Sequence, residues 1–175
     1  MALSFSKESE ERITKLLPKY PDKMAACLPV LWIAQDEFGW VSDDAMRLVA
    51  ERLDLSLAHV YGVATFYTMY NKKRVGHYHV QVCTNVACML NDAYDVMGSF
   101  ERELGIKRGQ TTEDGLFTLC EVECLAACGG AVCVQVNKDY HEKVRAEDVG
   151  AFVKKLRAAV TPDSAKAAGT IEAKG

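Results

Sequence analysis

Membrane-spanning runs and targeting signals are absent from this chain of 175 residues. No stretch approaches the roughly 18 uninterrupted apolar residues that a spanning helix needs, so we expect no direct membrane insertion. The opening residues, MALSFSKESEERITKLL, lack a long apolar region and are too acidic for an Arg-rich transit peptide. These absences predict a cytoplasmic protein in a reducing compartment.

Several cysteine and glycine motifs are missing as well. No Cys-x-x-Cys pair occurs, which excludes a thioredoxin-type redox site. No Gly-rich dinucleotide motif occurs either. The seven cysteines are too few, odd in number and in the wrong compartment for a disulfide scaffold. With 49% apolar and 26% charged residues the composition is that of a globular protein. The cysteines therefore need another explanation.

Residues 1–74 are predicted to form a helical module. Gly39 is expected to end one helix, and Ser42 and Ser56 to cap the next two, the last running to Tyr70. Two adjacent short helices could suggest a DNA-binding helix-turn-helix. However, residues 42–70 contain four acidic residues and only two basic ones. A phosphate-binding surface needs the opposite sign, so no nucleic-acid partner is expected.

Residues 75–160 show a different pattern. GHYHVQVC alternates with the period of a strand, and residues 89–104 return to a helical period. GLFTLCEVEC and VCVQVN are predicted strands, and RAEDVGAFVKKLRAA is a predicted closing helix. The order is that of an α/β domain of thioredoxin-like size, so the whole chain is predicted to be α+β. Residues 161–175 contain too few large apolar residues to pack and are expected to form a flexible tail.

Four of the cysteines form two close pairs, each directly after a predicted strand. The carboxyl ends of neighbouring strands commonly carry the functional site of such a domain. The Cys-x4-Cys and Cys-x3-Cys spacings favour a [2Fe–2S] cluster over zinc, because zinc sites generally use the shorter Cys-x2-Cys spacing. His77 and His79 share a strand face and could suggest Rieske-type ligands, but four thiols make them unnecessary. The proposed ligands are Cys83, Cys88, Cys124 and Cys128.

The remaining cysteines are predicted to have other roles. Cys120 stands at the same spacing from Cys124 as Cys128 does, so spacing alone leaves both pairs open. We favour Cys128 because Cys120 lies in the middle of a predicted strand, whereas Cys128 lies in a loop. Cys27 and Cys133 occupy apolar segments and are predicted to belong to the core.

The residues around the second cysteine pair are expected to influence a cluster. Gly129 and Gly130 would allow the backbone to approach its sulfur atoms closely. Glu121 and Glu123, if their carboxylates face the cluster, would disfavour the reduced state and lower its potential.

Several segments together resemble a known family. GVATFYTMY, YHVQVCTNVAC, DGLFTLCEVECLAAC and VQVN followed by Tyr140 are similar, in order and spacing, to the E-type, thioredoxin-like [2Fe–2S] subunit of NADH-quinone oxidoreductase (respiratory complex I). The resemblance extends from about Ile13 to Leu156. It departs from the family at Cys120 and at Val132, where the family usually has proline. It implies that the cluster ligands are Cys83, Cys88, Cys124 and Cys128.

The resemblance also implies a role within a complex. The protein would exchange single electrons with the FMN of a partner, the NADH-oxidising flavoprotein (F-type) subunit, in a peripheral arm attached to the inner membrane. It would not be catalytic alone. The helical part, with the face around GVATFYTMY, would dock on that flavoprotein subunit. The aromatic set Phe66, Tyr67 and Tyr70, together with Met69, would be divided between core and interface. Equivalent subunits of NAD-linked hydrogenases or formate dehydrogenases stay open as alternatives. A free-standing thioredoxin-like ferredoxin that carries electrons between soluble enzymes is a further alternative, but such a protein would lack the helical part, whose presence favours the complex subunit.

Overall fold

The computed structural model describes residues 3–160, and the tail predicted for residues 161–175 lies outside this part. The described chain divides after Arg74 into two compact units. The first is helical, and the second combines a four-stranded sheet with helices. The predicted α+β fold class is therefore confirmed. Within residues 3–160, no helix has the length and apolar character needed to span a bilayer.

The helices of the first unit end where their capping residues predict. The Ser42 hydroxyl accepts a hydrogen bond from the Ala45 N–H, and the Ser56 hydroxyl accepts one from the His59 N–H. Gly39 ends its helix in the left-handed conformation, with φ 78°. All three predicted boundaries are confirmed. The helices are α1 (Lys7–Leu16), α2 (Cys27–Phe38), α3 (Asp43–Leu53) and α4 (Leu57–Phe66).

The prediction that α4 continues to Tyr70 is wrong. The helix ends at Phe66 because the backbone becomes extended at Tyr67, with φ −88° and ψ 119°. This turn places the Tyr70 ring in the core, where 1% of the residue is exposed and its hydroxyl donates to the Leu28 carbonyl at 2.8 Å. Phe66 remains 77% exposed. The aromatic set is thus divided between core and surface.

Gln35 connects the segment after α4 to α2. Its side-chain Nε2 donates to the Met69 carbonyl at 3.1 Å, and its Oε1 accepts from the Asn71 N–H at 2.6 Å. Gln35 is only 8% exposed, so these bonds satisfy a buried amide and two backbone groups together. Together with the buried Tyr70, this polar side chain therefore holds the segment after α4 against α2.

The second unit is built on a sheet with strand order β2-β1-β3-β4. The central strand β1 (Tyr78–Cys83) pairs in parallel with β2 (Phe117–Val122) and antiparallel with β3 (Val134–Val136). A fourth strand, β4 (Asp139–His141), is absent from the sequence prediction and pairs antiparallel with β3. Asn137 makes the tight turn between them at φ 56°, a conformation that asparagine tolerates well.

Helices connect and cover these strands. The helix predicted over residues 89–104 is interrupted, because Asp92 adopts the left-handed conformation at φ 64°. A single-turn helix precedes the break, and the longer helix after it packs on the last helix and on β1 and β2. The helices of this unit are α5 (Val86–Met89), α6 (Ala93–Leu104) and α7 (Val149–Ala159).

Candidate metal centre

The two predicted cysteine pairs begin at the same edge of the sheet. Because β1 and β2 run in parallel, Cys83 at the end of β1 lies opposite Val122 at the end of β2. Cys88 follows in α5, and Cys124 and Cys128 follow in the loop after β2. Strand pairing therefore brings together two segments that are far apart in the sequence.

The four thiols differ in exposure. Cys83 and Cys88 are 3% and 2% exposed, whereas Cys124 and Cys128 lie on the surface. Burial raises the pKa of the Cys88 thiol, a hydrogen bond from the Cys133 backbone lowers it, and the neighbouring Cys83 and Cys128 raise it. Cys83, Cys88 and Cys128 are therefore electrostatic neighbours.

The donor set fits a cluster with thiolate ligands. Among residues 3–160, no three potential ligand side chains converge closely enough to hold a single metal ion. The chemistry of the set is nevertheless that of a [2Fe–2S] site, in which four thiolates surround two irons. The Ala126 N–H already donates to Cys124 Sγ at 3.2 Å, and bonds of this kind stabilise a ligating sulfur.

The remaining cysteines lie elsewhere. Cys27 and Cys133 are 1% and 0% exposed, which confirms that both belong to the core. Burial raises the pKa of the Cys27 thiol to about 11. Cys120 Sγ lies 3.3 Å from His79 Nε2 across the middle of the two parallel strands. The Cys120 thiol is thus paired within the sheet, which supports Cys128 as the ligand.

The two histidines of β1 have separate partners. The His77 ring packs edge-on against the Tyr78 ring at 4.6 Å, whereas His79 contacts Cys120. Burial lowers the pKa of His79, which favours the neutral imidazole beside the thiol. The pair therefore has no common ligand position in this structure.

Glu121 is the first of two acidic residues that the sequence places near the site. Arg108 contacts one of its carboxylate oxygens, and the Thr84 hydroxyl donates to the other at 2.8 Å. The Arg108 guanidinium, followed by the Thr84 hydroxyl, lowers the pKa of the Glu121 carboxyl. Its negative charge is therefore compensated locally, while Glu123 is exposed to solvent.

Gly130 lies against the side chain of Glu142, a residue that the sequence pattern did not identify. A Cβ at this position would overlap the Glu142 side chain, whereas a Cβ on Gly129 would meet nothing within 4 Å. Sequence reasoning assigned both glycines to the approach of the backbone to a cluster. In the structure, the absence of a side chain at residue 130 is required by Glu142, which lies twelve positions further along the chain.

A family model and several characterised proteins match most of this chain. The family model for thioredoxin-like [2Fe–2S] ferredoxins matches residues 13–157. The E-type subunit of the NADH-quinone oxidoreductase of Rickettsia conorii is 43% identical over 157 residues, covering 88% of this chain and 94% of that protein. The second of the E-type NADH-quinone oxidoreductase subunits of Rhizobium meliloti is 41% identical over 149 residues, covering 85% and 89%.

Solved structures support the same fold. A crystal structure of an NAD⁺-reducing [NiFe]-hydrogenase superposes with a TM-score of 0.64, covering 76% of this chain and 23% of the hydrogenase chain. The two sequences are 16% identical, so the likeness concerns the fold alone.

Proposed function

Because the chain belongs to the thioredoxin-like [2Fe–2S] ferredoxin family, we propose that it is the electron-carrying subunit of an NADH-quinone oxidoreductase, not catalytic alone. It holds one [2Fe–2S] cluster on Cys83, Cys88, Cys124 and Cys128. The observation that carries the proposal is the parallel pairing of β1 and β2, which starts both cysteine-bearing loops at one edge of the sheet.

The exposure of the thiols supports transfer to an external partner. The cluster supplies one-electron chemistry when bound. Cys83 and Cys88 hold it from the buried side, and Cys124 and Cys128 hold it from the surface. An electron can therefore enter or leave on the side of the exposed pair without a large rearrangement of the core.

NADH and FMN belong, in this proposal, to a partner flavoprotein within the peripheral arm. Apolar side chains next to the site support such a contact: Val86 is 61% exposed and Leu90 is 75% exposed. Apolar side chains of this size at the surface are typical of protein interfaces when they are grouped. The exposed Phe66 offers a second contact on the helical unit. The protein would then be cytoplasmic and peripheral to the inner membrane through the complex.

A second assembly is favoured by one observation. A chain of an NAD⁺-reducing hydrogenase has the same fold, so the equivalent subunit of a hydrogenase is the second candidate. Purification of the native protein with its partners separates the two: quinone-reductase components support the first proposal, and hydrogenase components support the second.

The ligand assignment is tested by metal analysis of the purified protein. We expect two irons and two acid-labile sulfides per chain, with visible absorption that dithionite bleaches. Substitution C83S, C88S, C124S or C128S should remove or distort the cluster, because each deletes one of its four thiolates. C27S is the matched control, since that thiol lies in the core of the helical unit.

Two results would contradict the assignment. Zinc as the only stoichiometric metal would exclude the cluster. Loss of iron in C120S together with retention in C128S would show that the wrong cysteine was chosen.

A further inference from the structure

Glu142 lies against the loop that carries Cys128. Its side chain occupies the space beside Gly130 that any other residue's Cβ would fill. The backbone holds it there, because the N–H of Lys143 donates to the Gly130 carbonyl at 2.8 Å and the N–H of Val144 donates to the Val132 carbonyl at 3.0 Å. The backbone that carries this carboxylate is therefore held beside the Cys128 segment by two hydrogen bonds.

Glu142 is close in space to one of the proposed ligands. Its side chain meets the chain at Gly130, which lies two residues after Cys128. The hydrogen bond from the Lys143 N–H to the Gly130 carbonyl keeps these two segments side by side. Glu142 is therefore a neighbour of the segment that carries Cys128, although it ligates nothing.

The Glu142 carboxylate differs from that of Glu121 in its partners. Arg108 and Thr84 bind both oxygens of Glu121. Glu142 forms no ion pair with any residue between 3 and 160, and the adjacent Lys143 side chain is exposed. Of these two carboxylates, Glu142 is therefore the one without an ion-pair partner in the described part of the chain.

We propose that Glu142 lowers the reduction potential of the site, and that Gly130 is needed to seat its carboxylate there. The proposal rests on the proposed function, because it requires a cluster on Cys83, Cys88, Cys124 and Cys128. Adding an electron increases the negative charge of a cluster with four thiolates, so a fixed carboxylate nearby disfavours the reduced form. For an exposed charge at an assumed separation of about 8 Å, Coulomb's law gives an effect of about two- to tenfold on the ratio of reduced to oxidised protein. The upper limit corresponds to about 59 mV for a one-electron couple.

The test is a redox titration of the purified, cluster-containing protein, followed by the electron paramagnetic resonance signal of the reduced state. E142Q should shift the midpoint potential to a more positive value by this amount. E142D keeps the charge and should stay close to the wild type. G130A should shift in the same direction as E142Q, since its Cβ displaces the carboxylate. E142A removes the same charge and repeats the measurement if E142Q does not retain its cluster.

Glu113 provides a matched control. It lies before β2, at the opposite end of the strand from the cysteine loops, so E113Q removes the same charge at about 20 Å, given about 3.3 Å per strand residue. E113Q should leave the potential unchanged. High ionic strength should reduce the difference between E142Q and wild type, because salt screens an exposed charge.

Three outcomes would overturn the proposal. These are an unchanged potential in E142Q, an E142D shift as large as that of E142Q, and an equal shift in E113Q. Failure of the proposed function would be seen separately, as an absence of iron and sulfide in the wild-type protein before any titration.

Discussion

Gln35 offers a quantitative test of how the helical unit presents its exposed aromatic segment. The substitution Q35M preserves the length and approximate volume of the side chain but removes its amide. The Met69 carbonyl and the Asn71 N–H would then lose their partners at 3.1 Å and 2.6 Å.

The expected cost follows from these two backbone groups. Leaving one buried polar group unpaired costs about 1–3 kcal/mol. Both groups here are only partly buried, and a buried methionine is more favourable than a glutamine, so we expect a net loss of about 2–3 kcal/mol rather than the full sum. The segment from Tyr67 to Asn71 should also loosen, which would weaken partner binding through Phe66.

Urea denaturation can measure this loss within the helical unit. The protein's two tryptophans, Trp32 and Trp40, both lie in this unit, so their fluorescence reports its unfolding, while visible absorption reports the cluster. With a slope of about 1–3 kcal/mol per molar urea, the fluorescence midpoint should fall by roughly 1–2 M. Q110L, which alters an exposed turn of the second unit, serves as the control and should leave that midpoint unchanged. A loss below about 0.5 kcal/mol in Q35M would refute the reasoning, since surface substitutions alone reach that size.

Two further predictions concern packing and thiol reactivity. G76A should destabilise the second unit by about 1–3 kcal/mol, because its Cβ would lie 2.8 Å from the Phe117 carbonyl carbon. The control is G98A in α6, where the nearest atom to the new Cβ would be Arg102 Nη1 at an ordinary contact distance of 3.5 Å. This substitution should instead stabilise the unit by about 0.5–1 kcal/mol. Urea midpoints followed by visible absorption measure both, and equal effects would contradict the assigned contact. Cys27, with its pKa of about 11, should react with iodoacetamide at pH 8 at least about 100-fold more slowly in the native protein than in urea, as measured by mass spectrometry of the labelled peptide. Rapid labelling of the native protein would show that this thiol is accessible and not part of the core.

Features that depend on a few neighbouring residues could be predicted from the sequence. Ser42 and Ser56 cap helices through bonds to N–H groups three positions away, and Gly39 ends a helix through its own backbone conformation. The cysteine pairs belong to this class too, because each pair lies within one short segment at the end of a predicted strand. The family resemblance adds their assignment as a set of ligands, which the metal analysis would test.

Tertiary structure decided the features that join distant segments. The segment after α4 is bound by Gln35, whose side chain accepts from a backbone N–H 36 positions away, and no local pattern encodes that bond. The strand β4 is three residues long and is stabilised by pairing with β3, so it has too little periodicity to be recognised alone. In both cases a partner far along the chain supplies the stabilising contact.

The same distinction applies to the charges around the site. From the sequence, Glu121 and Glu123 are the candidates to act on a cluster because they are close to Cys124 along the chain. In space, Arg108 compensates Glu121, and Glu142 reaches the loop through the β3–β4 hairpin. By itself the sequence therefore determined which residue types could form the site and where its loops begin. Only the tertiary structure decided which of these carboxylates has a cation as its partner and which lies beside the Cys128 segment, because electrostatic interactions depend on distance in space and on neighbouring counter-charges.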